Sequence, residues 1–586
     1  MIPFLPRRSQ DPHNDKEVVS GLIKAGLSPL VAHAMMLRGV GRADVALGQH
    51  ALLPYHSLKG MARMASSISS AIQKKEKIII VADYDCDGAT ACAIGVSGLR
   101  AMGADIDFVV PNRFVHGYGL TPEIVDEVEK EKRPQWILTV DNGIASVEGV
   151  ERAIELGIKV LVTDHHLPGE KLPRAEAIVN PNQPGCDFPS KNLAGCGVMY
   201  YVLAATREEL RAAGMLADGG PNLAEWLDLV ALGTVADVVL LDDNNRWMVR
   251  QGLRRIRQGK MRPGIQALFD VANRQTCNAT AQDFGFSLGP RVNAAGRLED
   301  MSIGIRCLLS DTYEKALEEA RTLEELNIRR KSIEHEMKDA ALEQLDWRQP
   351  SSSLTRVFFD PGFHEGVVGV VAGRIKEGSG CPTVVFARAR EEGMIKGSGR
   401  SIPELHLRDA LDVIHKEAPL LLHKFGGHAM AAGLTIREED LPEFKAAFER
   451  SVARMLSFKS FQKVVETDGD VDPAQMTYEN AQALVSEIWG QGFPEPVWTG
   501  VFEVVESRIM GVERNHTKMT VRMGGETWDA LHFFNTEAPP PGARLEIAFK
   551  MGVNEFRGES RMQLLVVEKK EALQLEYTAA STSAPR

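Results

Sequence analysis

Three apolar, β-rich runs in the first half of the chain each end abruptly in acidic or acidic and histidine residues. Ile78-Ile79-Ile80-Val81 leads into Asp83-Tyr84-Asp85-Cys86-Asp87-Gly88, Trp136–Val140 into Asp141-Asn142-Gly143, and Val160–Thr163 into Asp164-His165-His166. Amphipathic stretches separate them. Apolar runs alternating with helical stretches are the signature of a parallel sheet covered on both faces. The carboxyl ends of neighbouring strands in such a sheet meet at one crevice, where ligands bind. Carboxylates and imidazoles gathered there would repel one another and resist ionisation unless cations neutralised them. The predicted class is therefore α/β, and the predicted site is a metal centre for two ions.

A chain of 586 residues with 44% hydrophobic content has room for several domains with real cores. Its net charge of −11 is unlike that of a general nucleic-acid coat protein, although a basic cleft can sit on an acidic body. The seven cysteines form no Cys-x-x-Cys pair, which points to a reducing cytoplasm. The opening MIPFLPRRSQDPHND has no signal-peptide core, and no apolar run reaches membrane-spanning length. A soluble, cytoplasmic protein without a membrane partner is expected.

The texture of the chain changes at several points. Residues 1–60 read as a lead-in of short helices and loops, and 61–309 as the parallel-sheet domain. Leu227 to Leu241 reads as a buried helix presenting Asp237 near its end, and GPRVNAAGRL (289–298) as a loop. Asp311 to Asp346, without Gly or Pro, predicts one long helix within a connecting segment, 310–350. A smaller α/β domain follows at 351–458, with strands at Arg356–Asp360, Pro382–Ala387 and Met394–Gly399 and glycine-rich turns at GSGRS (397–401) and FGGHAMAAG (425–433). Short strand-like runs at 501–510, 516–523, 543–552 and 561–570 predict a small β-barrel over 459–572, ahead of a disordered tail at 573–586.

Each motif has a plain reading beside the chemical one. An extended DYDCDG segment would put its three carboxylates on one side, roughly 6–7 Å apart, suited to two neighbouring cations. A calcium loop also opens D-x-D-x-D-G, but its twelfth position here is Ile94 rather than Glu. Capping of the next helix is the other alternative. Adjacent histidines on a strand diverge, so one suits a metal and the other a substrate. Gly426 and Gly427 let backbone N–H groups approach a phosphate or base, with His428 as a further donor; a tight turn around a buried His is the plain reading. Ser398 and Arg400 supply hydroxyl and guanidinium donors apt for a phosphate.

Taken together, DYDCDG, VDNG, TDHH and VADVV, followed by GPRVNAAGR and FGGHAMAAGL, resemble the DHH phosphoesterase superfamily over roughly residues 50–570. The order of motifs, the DHHA1-type second domain and the length are similar to those of its bacterial single-strand-specific 5′→3′ DNA exonucleases. The resemblance implies that Asp83, Asp85 and Asp141 hold one divalent ion, Mn²⁺ or Mg²⁺, and that Asp87, Asp141, His165 and Asp237 hold the other. His166 would then contact the scissile phosphate. It further implies that Ser398, Arg400 and Arg113 grip a 5′-terminal phosphate, and that Arg291, Asn293 and Arg297 bind the backbone beside the metals. The terminal barrel resembles an oligonucleotide-binding fold, with Phe502, Trp528, Phe533, Phe534 and Phe556 available for stacking unless they fill its core. Arg508, Arg514, Lys518, Arg522, Lys550 and Arg557 are available there for phosphates.

The activity so implied is hydrolysis of single-stranded DNA from the 5′ end to mononucleotides in recombination and repair, by two-metal activation of water. A monomer working with a single-strand-binding protein and a helicase is expected. The alternatives are a phosphodiesterase of short oligonucleotides or cyclic dinucleotides, and a DNA-bound scaffold without catalysis.

Overall fold

The computed structural model describes residues 2–9, 12–49, 52–112, 119–344, 353–456, 464–511, 513–556 and 559–572. The chain divides into two compact units. One joins Pro54–Val239 to Gln251–Phe461, and the other joins Met1–Leu53, Leu240–Arg250 and Gln462–Arg586.

The first unit is built on a five-stranded sheet of β1 (Ile78–Ala82), β2 (Ile106–Val109), β3 (Trp136–Val140), β4 (Lys159–Thr163) and β5 (Ala177–Val179). All strands are parallel, in the order β2-β1-β3-β4-β5. β1 and β3 are buried along their whole length, which explains why they read as unbroken apolar runs. On one face Ile79, Val81, Ile137 and Val160 pack against Ile124, Val125 and Val150. These last come from helices α1 (Pro122–Lys132) and α2 (Val147–Glu155). Each such aliphatic side chain contributes roughly 1.5–3 kcal/mol on burial. The helices Cys86–Ala101 and Gly195–Ala212 cover the other face. There Gly95 is needed for the approach, since a Cβ would lie 2.6 Å from Ile80 Cδ1.

Asp237 caps the buried helix Leu227–Ala236, as expected. GPRVNAAGRL departs from expectation: Gly289–Leu298 is a helix, entered through a π-helical turn at Phe284–Leu288. Pro290 falls in its first turn, where a missing N–H costs nothing. The long helix runs Tyr313–Glu343, started by Thr312, whose hydroxyl accepts from Lys315 N. The end expected near Asp346 lies outside the described residues. Its buried side carries polar residues that tie it to both α/β halves of the unit. Glu324 pairs with Arg291 at 2.5 Å, and Glu334 pairs with Arg330 and with Arg374 at 3.0 Å.

The second sheet of this unit holds β6 (Arg356–Phe359), β7 (Thr383–Arg388), β8 (Met394–Arg400), β9 (Lys424–Gly427) and β10 (Ala431–Arg437) in the order β9-β10-β8-β7-β6. β6 and β7 are parallel and the rest antiparallel. FGGHAMAAG turns between β9 and β10 as expected, whereas in GSGRS the strand expected to Gly399 runs on to Arg400, so both segments contribute residues to strands. Their glycines answer a packing need: a Cβ on Gly397 would sit 2.6 Å from Phe386 Cε1, and one on Gly399 2.8 Å from Leu407 Cδ2.

The second unit contains a closed barrel of five strands, Trp498–Met510, His516–Met523, Glu526–His532, Arg544–Phe556 and Glu559–Glu571. Phe502 and Phe549 are buried in it and meet edge to face. Residues 1–53 join this unit, where the sequence had suggested a separate lead-in. Phe4–Pro6 pairs in parallel with Val465–Thr467. Arg38 donates to Asp468 at 2.6 Å with both side chains 1% exposed, and its guanidinium lies 5.1 Å from the Trp489 ring centroid. No local sequence pattern reports such distant pairings. Among the described residues, no helix is long and apolar enough to cross a membrane.

Candidate metal centre

The acidic clusters converge at the carboxyl ends of β1, β3 and β4. The DYDCDG segment is not extended: Asp85 is the N-cap of Cys86–Ala101, its Oδ1 accepting from Gly88 N at 3.0 Å, and Asp87 lies in the first helical turn. Helix capping and ligand supply thus coexist in one motif. Asp87 is fixed by backbone amides of the next helix, accepting from Gly195 N at 2.5 Å and Cys196 N at 2.9 Å. Asp141 sits in the left-handed region at φ 62°, a strained conformation for a residue with a Cβ. Asn142 helps to hold it, donating from Nδ2 to Val81 O at 3.1 Å and Val140 O at 2.9 Å. Gly195 admits the Asp141 side chain, because a Cβ there would lie 2.7 Å from it.

His165 Nε2 faces Asp141 Oδ1 at 3.1 Å, Asp237 Oδ2 at 3.5 Å and Asp87 Oδ2 at 4.0 Å. Three sets of potential ligand atoms lie within 4.8 Å of one another: Asp83, Asp85 and Asp141; Asp87, His165 and Asp237; and Asp141, His165 and His166. Burial, and then the charge of Asp87, pushes the Asp141 and Asp237 carboxyls well above the ordinary carboxylate range. Burial raises Asp87 too, against the pull of His165. His165 is held below its usual range by burial and by His166. Its Nε2 is buried without a hydrogen bond among the described residues. Carboxylates kept from ionising around a neutral imidazole with an unused lone pair fit divalent cations.

Asp164 plays a different part, one the sequence did not separate from its neighbours. Its Oδ1 accepts from His165 N at 2.7 Å and His166 Nδ1 at 2.8 Å, and its Oδ2 from Ile144 N at 2.9 Å. Burial would raise this carboxyl, but the hydrogen bond and charge of His166, the charge of His165 and the Ile144 amide together outweigh it and hold Asp164 below the ordinary range. Burial would likewise lower His166, yet Asp164 carries it up to about 9. The backbone amides of Gly195 and Cys196 were also not foreseen, and no side-chain signal marks them.

The remaining predicted residues fall into groups. Asn293 Oδ1 accepts from Cys86 N at 2.7 Å, which fixes the start of the helix carrying Asp87. Arg291 is buried against Glu324, and Arg297 Nη1 donates to Gly366 O at 3.4 Å. Arg400 donates to Ser398 Oγ at 3.0 Å, and a Cβ on Gly369 would lie 2.8 Å from its Nη2. Burial lowers the Arg400 guanidinium, and no carboxylate among the described residues offsets it. Gly426 and Gly427 close β9, and His428 follows them, its amide donating to Ala431 O at 2.8 Å. Arg113 lies outside the described residues. In the barrel Phe502 is core and Trp528 half-buried, while Phe533 and Phe534 are exposed. Lys518 pairs with Asp529 and Lys550 with Glu495. The Phe556 side chain and Arg557 lie outside the described residues.

A parallel-sheet metal crevice joined by a long helix to a second α/β half defines a two-domain protein of the DHH class. Residues 77–234 match the DHH family, N-terminal domain, residues 352–454 the DHHA1 domain, and residues 467–568 the RecJ OB domain. The chain is 46% identical over 558 residues to the single-stranded-DNA-specific exonuclease RecJ of Escherichia coli (strain K12), covering 93% of this chain and 96% of that one. It is 35% identical to the single-stranded-DNA-specific exonuclease RecJ of Bacillus subtilis (strain 168), covering 95% and 70%. The crystal structure of RecJ in complex with Mn²⁺ from Thermus thermophilus matches with a TM-score of 0.82 at 30% identity, covering 98% of this chain and 80% of that one. The chain belongs to the RecJ family.

Proposed function

We propose that the protein is a metal-dependent exonuclease that hydrolyses single-stranded DNA from the 5′ end to mononucleotides. The observation that carries this reading is the meeting of five aspartates and His165 in one crevice, with the Asp87, Asp141 and Asp237 carboxyls resisting ionisation. Asp83, Asp85 and Asp141 would hold one divalent ion, and Asp87, Asp141, His165 and Asp237 a second. Mn²⁺ or Mg²⁺ there supplies positive charge to the phosphate and activates water.

The chain's own residues do the rest. Asp164 accepts a hydrogen bond from His166 Nδ1–H, which leaves Nε2–H to supply a proton to the departing oxygen. Ser398 and the half-buried Arg400, beside the start of the helix Val368–Ser379, would form a cradle for a terminal phosphate. Asn293 and Arg297 stand where the strand would pass from one α/β half to the other. A cytoplasmic setting agrees with the seven free cysteines. Repair of damaged DNA, with a single-strand-binding protein and a helicase, is the context this reading implies.

The test is release of nucleotides from 5′-labelled single strands, duplexes, RNA and dinucleotides, in Mn²⁺ or EDTA. Metal-dependent release of mononucleotides from single-stranded DNA is expected. Activity on dinucleotides alone would favour a small-oligonucleotide phosphodiesterase. Undiminished cleavage by both Asp85→Ala and His165→Ala would overturn the metal assignment.

A further inference from the structure

The ladder between β4 and β5 stops at the pair Thr163 and Val179, with one further backbone bond from Asp164 N to Val179 O at 3.1 Å. The chain after β5 continues as Asn180-Pro181-Asn182, and Pro181 has no N–H with which to extend a ladder. The carbonyls of the half-buried His165 and His166 therefore need donors from elsewhere.

Side-chain amides take the place of the missing ladder. Asn180 Nδ2 donates to His166 O at 2.9 Å, and Asn182 Nδ2 donates to His165 O at 2.6 Å. Asn180 is fully buried, and its Oδ1 accepts from Asn182 N at 2.7 Å, which fixes which end of the amide faces the histidine. Other side chains close the loop that carries both asparagines. Lys191 Nζ donates to Pro181 O at 2.9 Å and Cys186 O at 2.6 Å. Gln183 Nε2 donates to Ile178 O at 2.9 Å and Lys59 O at 3.1 Å.

On the other side of the turn, Asp164 Oδ1 accepts from the backbone N of both histidines. Each histidine is thus held at its N–H by Asp164 and at its carbonyl by an asparagine. A residue has only two soft backbone dihedrals, so such a pair of bonds fixes the direction in which its side chain leaves the chain. The two rings lie 4.4 Å apart at 57° to each other. His165 Nε2 points at Asp141 and Asp237, while His166 Nδ1 points at Asp164.

We propose that Asn180 and Asn182 are positioning residues for the reaction, a carbonyl clamp in which Asn182 sets His165 as a metal ligand and Asn180 aims His166 at the scissile phosphate. The division follows from the peptide that each amide holds. Asn182 holds the peptide joining the two histidines, and its loss frees His165 on the C-terminal side. Asn180 holds the peptide after His166, and its loss leaves His165 in place. This inference rests on the exonuclease reading above.

Mn²⁺ binding, followed by electron paramagnetic resonance of the free ion, and single-turnover nucleotide release separate the two roles. Asn182→Ala is expected to weaken Mn²⁺ binding about 10–100-fold, the scale of lost support to a metal ligand, and to regain release at high Mn²⁺. Asn180→Ala is expected to bind Mn²⁺ as the wild type does, yet to release nucleotides about 10–100-fold more slowly at any Mn²⁺ concentration. Wild-type Mn²⁺ affinity in Asn182→Ala, or a wild-type rate in Asn180→Ala, would overturn the clamp. So would equal losses of affinity and rate in both variants with a lowered Tm of the metal-free protein, the mark of a loop that only supports the fold. Should Asn180→Ala not fold, Asn180→Ser decides the matter. Its hydroxyl can accept from Asn182 N but is too short to reach His166 O, and a wild-type rate there removes the role. A wild-type protein that releases no nucleotides would refute the exonuclease reading instead, and the Mn²⁺ affinity of Asn182→Ala would still test the clamp.

Discussion

Asp164 Oδ1 and His166 Nδ1 lie 2.8 Å apart, and the same oxygen also receives the backbone amides of both histidines. The carboxylate therefore fixes the orientation and the tautomer of His166. Each partner stabilises the charged form of the other.

Asp164→Asn keeps an acceptor but removes the charge that raises His166. We expect kcat to fall roughly 10²-fold or more, the scale of lost general acid–base catalysis. Single-turnover rates and Mn²⁺ thermal shifts separate this from lost metal binding, which should be unaffected. The pH dependence has a definite sign. His166, raised to about 9, stabilises the fold fully below its unfolded value near 6.5, and that stability is lost as pH rises through about 9. Bound cations lower its affinity for a proton, so the alkaline limb of kcat should lie at or below pH 9 and move lower still in Asp164→Asn. An unmoved limb would remove His166 as the acid.

Metal removal should act through the raised carboxyls. Asp141, Asp87 and Asp237 bind protons more tightly folded than unfolded, so without metal their contribution falls as pH rises above about 4. Protein stripped with EDTA should lose more Tm between pH 6 and 8 than the Mn²⁺ form. Saturating Mn²⁺ should restore about 2.7 kcal/mol at a hundred times its Kd. Asp141→Asn should raise the Tm of the stripped protein while abolishing the Mn²⁺ shift. A stripped Asp141→Asn protein less stable than wild type would contradict this electrostatic account.

The proposed end recognition depends on the half-buried Arg400 guanidinium, which has no carboxylate partner among the described residues. Arg400→Ala should lose the preference for 5′-phosphorylated over 5′-hydroxyl strands, measured as a ratio of kcat/KM values. An unchanged ratio would take Arg400 out of that role.

The Arg38–Asp468 pair is buried on both sides. Asp468→Ala leaves a buried guanidinium without its counter-charge and should cost about 3–5 kcal/mol in denaturant unfolding of the unit that contains the barrel. Replacing both residues with apolar ones of similar size should cost much less.

Much of this architecture was legible in the residues themselves. The continuous apolar runs of β1, β3 and β4 reflect burial on two faces, and the clusters that end them reflect a sheet edge that carries ligands. A stretch free of Gly and Pro marked the helix Tyr313–Glu343. Several short strand-like runs close together marked the barrel strands. Each of these signals is carried by neighbours in the chain.

Long-range packing decided the rest. GPRVNAAGRL became a helix, and the strand through GSGRS needs glycine at 397 and 399 because Phe386 and Leu407 leave no room for a Cβ. Residues 1–53 joined the barrel through a buried ion pair that no local pattern announces. Places after apolar runs, and the family resemblance, named the aspartates. Only the folded chain set Asp164 apart from Asp141, giving one a hydrogen-bonded imidazole and the other burial among carboxylates. Desolvation and charge proximity depend on distances in space, and one side chain type takes opposite roles according to what surrounds it.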